Sequence, residues 1–156
     1  MSLDKEVRYL SLLVLAVLVF LIGAPACRVN FRNGNLDDDK RGAEGEIEKF
    51  HARYNAGQFE MIYQDADSGI KAVESLSESN DYLTETRRKY GNVVGVSRHW
   101  VNAFLPAPVH VRAVYNTRFS NGEATELFDW VIDDNGRPRL VHYHVSGGTT
   151  IPRNVS

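Results

Sequence analysis

The stretch Asn121-Gly-Glu-Ala-Thr-Glu-Leu-Phe-Asp-Trp-Val-Ile-Asp-Asp-Asn-Gly136 decides how this chain is read. Phe128, Trp130 and Ile132 alternate with Leu127, Asp129 and Val131, the two-residue period of a strand. An Asn-Gly pair stands at each end. Asn-Gly is the strongest local signal for a two-residue hairpin turn, because both turn positions need positive φ. Working outward, the pattern predicts three antiparallel strands between Val109 and Val145. With each Asn-Gly as the loop, Tyr115 faces Phe128, Ala113 faces Trp130 and Ser120 faces Glu123. On the other side Phe128 faces Tyr143, Asp129 faces His142 and Trp130 faces Val141. One face then carries Val111, Ala113, Tyr115, Phe128, Trp130, Ile132, Val141, Tyr143 and Val145. The opposite face carries Arg112, Asn116, Arg118, Asp129, His142 and His144, mixed with Val114, Leu127, Val131 and Leu140. A slip of one residue would exchange the two faces, so the separation of rings from charges supports this alignment.

Upstream the period changes. Ile47, Phe50, His51 and Tyr54 follow the i, i+3, i+4, i+7 spacing of a helix starting near Glu44 and stopping at Gly57. Phe59, Ile62, Tyr63 and Ala66 predict a second, short helix. Ser68-Gly69 reads as a turn and Ile70 to Val73 as a short strand. Ser75-Leu-Ser-Glu78 resembles a capping box, opening a helix with Tyr82, Leu83, Thr86 and Tyr90 on its stripe. Gly91 stops that helix, with Arg87, Arg88 and Lys89 at the negative end of its dipole. Val93 to Leu105 reads as a further strand, with Val94, Val96, Trp100, Asn102 and Phe104 on one parity. Pro106-Ala107-Pro108 breaks it, since proline cannot donate to a sheet ladder.

The chain has 156 residues and a net charge of −2, room for one ordinary domain and no basic stripe for nucleic acid. Leu10 to Gly23 is nearly all apolar, somewhat short of the roughly 20 residues a span needs. With Gly23, Ala24 and Ala26 after it, the segment suits an export signal. The single cysteine follows at once, in Ala24-Pro-Ala-Cys27, which resembles the lipobox of bacterial lipoproteins, where the thiol receives a diacylglycerol. Plain secretion and an uncleaved single span are the alternatives. Once Cys27 is acylated or removed, the domain has no thiol, which excludes a disulfide framework, a cysteine nucleophile and a thiolate metal site. Arg28 to Gly45 is rich in Asn, Asp, Gly and charge and reads as a polar tether.

Helices first and strands after mean α+β, with the helices packed on one face of a four-stranded antiparallel meander. Three stretches carry a family resemblance: Asn55-Ala-Gly-Gln-Phe59, Tyr82-Leu83 through Arg87-Arg-Lys-Tyr-Gly91, and Glu123-Ala-Thr-Glu-Leu-Phe-Asp-Trp-Val131. Together they resemble the nuclear transport factor 2 superfamily, whose helices lie across a strongly curved sheet to make a cone. Within it the chain looks most like a group of bacterial exported proteins. The resemblance covers about Glu46 to Val145, and the chain divides into an export signal over residues 1–27, a tether over 28–45, a cone over 46–147 and a tail over 148–156. A superfamily of enzymes, ligand binders and structural partners sets no function by fold alone.

Tyr63, Tyr115, Phe128, Trp130 and Tyr143 are the candidate lining of a ligand pocket in the cone. No cofactor is expected. Isomerases of this superfamily set a carboxylate and a Tyr donor on the inner wall, but no catalytic residue transfers here position by position. Glu126, near the first turn, reads as a rim residue. His142-x-His144 puts two imidazoles on one side of a strand, with Asp129 opposite, a spacing metals can use. A solvated His–Asp pair is the plainer reading. His51, on an apolar stripe, reads as a structural histidine. The expectation is a membrane-anchored envelope protein that does no chemistry. It would bind a small apolar ligand in its cone, or a second copy or another envelope protein on its outer sheet face. A small isomerase or cyclase using a carboxylate and a Tyr is the alternative.

Overall fold

The computed structural model describes residues 35–106 and 108–147. The export signal, Cys27, the first part of the tether and the tail from residue 148 lie outside the described residues.

The elements run α1 (Leu36–Ala56), α2 (Phe59–Asp65), α3 (Ser68–Val73), α4 (Leu76–Tyr90), β1 (Val93–Phe104), β2 (His110–Phe119), β3 (Gly122–Ile132) and β4 (Pro138–Ser146). The four strands are antiparallel in the order β1-β2-β3-β4. This is the α+β arrangement of helices on a curved meander that the sequence predicts.

Residues 36–45 correct the tether reading, because they are the first turns of α1. The Asn35 side chain caps the helix by accepting from the Asp37 N–H at 3.0 Å. Asp37, Asp38 and Asp39 place negative charge at the positive end of the dipole. The polar composition is compatible with packing because the buried stripe here is narrow, needing only Asp39 and Ala43 before Ile47. Gly42 leaves room for Pro138, which a Cβ there would meet at 3.4 Å, and Glu44 ties the helix to β1 through Arg98 at 2.7 Å.

The short strand expected at residues 70–73 is instead helix α3. Asp67 caps it, accepting from Gly69 N–H at 2.7 Å. The capping box of α4 forms as read, with Ser75 N–H donating to Glu78 at 2.8 Å and Glu78 N–H donating to Ser75 Oγ at 3.3 Å.

The sheet keeps the predicted faces except at Leu140 and Val141, and its hairpins depart from the expected alignment. Across β2–β3, Ala113 pairs with Phe128, Tyr115 with Glu126 and Phe119 with Gly122. Every partner is two residues from its expected place, so the loop is Ser120-Asn121 rather than Asn121-Gly122. An even shift preserves the faces. The physical reason is tertiary. Ser120 N–H donates to Asn92 O at 2.8 Å and Asn121 N–H to Tyr90 O at 2.9 Å, clasping the turn to the end of α4. Neither residue needs positive φ.

Across β3–β4, Phe128 pairs with Tyr143 and Asp129 with His142, as predicted. A bulge then pairs Trp130 with Leu140 instead of Val141. The loop spans Asp133 to Arg137, where the Asp133 carboxylate accepts from the Asn135 and Arg137 N–H groups, each at 2.9 Å. The bulge turns Leu140 inward, where it is 6% exposed, and Val141 outward. β1 also carries two irregularities, near Gly95 and His99, so its residues hold no single parity. Trp130 is buried beneath the helices and His142 is exposed. The core joins Ile47, Phe50 and Tyr54 of α1 to Leu83 and Tyr90 of α4 and to the inner sheet face.

Gly91 has φ +84, and a Cβ there would come 2.0 Å from Ser120 Oγ. Gly91→Ala is therefore expected to destabilise the fold by about 2 kcal/mol through strain and loss of the clasp. Urea unfolding should show a lower midpoint at unchanged slope.

Candidate functional site

Glu126 is the most unusual side chain of the core. It carries a carboxyl group and has no exposed surface. Its reading as a rim residue is corrected, because the two-residue shift moves it away from the turn and α1 and α4 cover that end of the hairpin. Tyr143 OH donates to Oε1 at 2.7 Å, His51 Nε2 lies 2.9 Å from Oε2, and the Thr117 hydroxyl donates to the same oxygen. Hydroxyls of β2 and β4 donate to the carboxyl group, and the His51 ring of α1 joins them, donating in the tautomer that carries its proton on Nε2. Burial first, then the Glu126 charge and hydrogen bond, hold the Tyr143 hydroxyl protonated well above the ordinary phenol range. Burial also raises Tyr54.

Rings seal the surroundings. Phe50 lies 4.5 Å from Tyr143 and 5.1 Å from Phe128, and Phe128 lies 5.0 Å from Tyr143 and 6.2 Å from Trp130, between centroids. Such edge and offset contacts fill the cone. A carboxylate beside a Tyr hydroxyl could take a proton from carbon chemically, but here its partners are all protein groups.

Of the expected pocket residues, Tyr115, Trp130 and Tyr143 each pack against the Phe128 ring, and Tyr63 stands apart on α2. Phe128 is enclosed, and Trp130 and Tyr143 face separate recesses. Tyr115 OH points to Glu44 at 3.4 Å, and burial, then Glu44, pushes its pKa up to about 12. Tyr63 OH donates to Glu74 O at 2.9 Å, bracing α2 against the end of α3. Two of the recesses outside the filled cone border these residues. One of about 260 Å³ is lined by Phe50, Ile62, Ile70, Leu83, Leu140 and Tyr143, with Glu74, Glu78, His142 and His144 also on its wall. The other, of about 610 Å³, lies between α1, α2 and the β3–β4 hairpin.

The His142 and His144 rings are stacked with centroids 6.3 Å apart. Asp129, instead of facing a metal, accepts from Arg112 Nη2 at 2.6 Å, and His110 Nδ1 is 3.5 Å away. No group of three or more His, Cys, Asp or Glu among the described residues is arranged to hold a metal.

Sequence reasoning placed His51 on the helix stripe and Glu126 on the inner parity but did not join them. The available signal was two polar residues, Thr117 and Glu126, on strand parities otherwise apolar.

No family model and no curated protein matches the chain. In three dimensions it is similar to a candidate ketosteroid isomerase from Shewanella frigidimarina. The TM-score is 0.47 and the identity 12%, over 67% of this chain and 94% of that one.

Glu126→Ala would strand three partners and leave a void. The expected loss is at least about 3 kcal/mol in urea unfolding. Glu126→Gln, which keeps the shape and one acceptor, should cost less.

Proposed function

We propose that this chain is a non-enzymatic binding module of the bacterial cell envelope, holding a small apolar ligand in the recess beside Tyr143. The observation that carries the reading is closure of the cone. Glu126 is fully buried, its oxygens are occupied by His51, Thr117 and Tyr143, and it lines neither recess. A general base must come within hydrogen-bond reach of the proton it removes. The recess of about 260 Å³ offers an apolar floor of Phe50, Ile62, Ile70, Leu83 and Leu140 instead, with Glu74, Glu78, His142 and His144 among the polar groups around it.

The address is part of the proposal and rests on the sequence: export by residues 1–27, a lipid on Cys27, and kinship with exported bacterial proteins of the same fold. No helix among the described residues is long and apolar enough to cross a membrane. A second reading places a second copy or another envelope protein on the outer sheet face. It is favoured by Phe104 and Leu105, which are 46% and 66% exposed beside Arg112 and Asp129.

Octan-1-ol is expected to shift the methyl resonances of Ile70 and Leu83. In deuterium oxide with an enolisable ketone, the chain should exchange carbon-bound hydrogen no faster than buffer. Exchange that Glu126→Gln abolishes would transfer the case to an isomerase using Glu126 and Tyr143. Native mass spectrometry of the full chain from its source membrane should show diacylglycerol on Cys27 and report the oligomeric state. An unmodified thiol would remove the anchor, and a monomer would remove the homodimer.

A further inference from the structure

The recess of about 610 Å³ shares Phe50, Ile62 and Leu140 with the apolar recess, so these three side chains form a wall between the two. Its chemistry differs. Five cationic side chains line it. Four already have a carboxylate: Arg41 pairs with Asp38, Lys49 with Glu46 at 2.6 Å, Arg53 with Asp65 at 2.7 Å and Arg139 with Asp133 at 3.2 Å. Arg137 is the fifth, and its guanidinium has no partner among the described residues. The wall also includes Trp130, 5% exposed, whose buried indole N–H has no acceptor.

We infer that this recess binds an amphipathic carboxylate: one negative head at Arg137 and an aliphatic chain against the shared wall beside Trp130. One surplus positive charge matches a singly charged head and not a polyphosphate. The apolar wall gives a small hydrated anion nothing to hold and an alkyl chain surface to bury. A guanidinium donates and a carboxylate accepts, which suits the head to Arg137. The inference rests on the binding-module reading but concerns a different recess.

The test uses the full chain labelled with nitrogen-15, whose two tryptophans give two indole N–H cross-peaks. Trp100→Phe tells them apart. Octanoate is expected to move the Trp130 indole peak saturably, and Arg137→Gln, on an exposed loop, should weaken this about tenfold. The inference is overturned if the peak stays still up to about 10 mM octanoate, where even a millimolar site would be mostly filled. It is equally overturned if octan-1-ol moves that peak as far, or if Arg137→Gln binds as tightly as the parent. The Ile70 and Leu83 methyls, read in the same samples, report the apolar recess separately, so either proposal can fail alone.

Discussion

A carboxylate without access to water must find its hydrogen bonds inside the fold, and Glu126 draws them from three elements at once. His51 fixes how α1 lies across the sheet, while Thr117 and Tyr143 bind β3 to its two neighbours. An apolar residue of similar size at position 126 would demand only volume and tolerate small slides of α1. A charged one demands donors at defined positions, because removing any of them leaves an unmet acceptor in a low-dielectric core. The packing of Phe50, Phe128 and Tyr143 around it is the apolar counterpart of the same requirement: it excludes the water that would otherwise compete.

The consequence for function is geometric. Rings of Phe50, Phe128, Trp130 and Tyr143 pack the inner sheet face, and concave surface lies beside them. Short α2 and α3 do not cover β4 along its length, and the five-residue β3–β4 loop stands away from α1. The shared wall of Phe50, Ile62 and Leu140 separates an apolar side from a basic one. The bulge that pairs Trp130 with Leu140 is what puts Leu140 in that wall, so a local irregularity in one hairpin shapes both surfaces.

Much of this architecture could be read from periodicity. The stripe Ile47, Phe50, His51, Tyr54 and the alternation through Trp130 and Ile132 are each local, repeated several times and backed by burial, so they survive in the fold. The hairpin alignments were less legible because turn preference is a weak local energy. At Ser120-Asn121, hydrogen bonds to Tyr90 and Asn92, some thirty residues earlier in the chain, outweigh the Asn-Gly preference. The first turns of α1 looked like tether because a narrow stripe of Asp39 and Ala43 carries almost no hydrophobic signal. The candidate pocket residues were chosen for ring character on one face, which correctly marks burial but not whether space remains between the rings.

What the sequence determined by itself was the two long helices and the four strands in order, the inner face of β2, β3 and the far half of β4, the capping of α4 and the expectation of an export segment ending at Cys27. These depend on neighbours within a few residues, where periodicity and caps act. Only the tertiary structure decided that Glu126 meets His51 across 75 positions of chain, that the cone closes, and that Arg137 and Trp130 share one recess. Those outcomes depend on the distances between elements, which are set by how side chains of different segments fit together, and no local pattern encodes that fit.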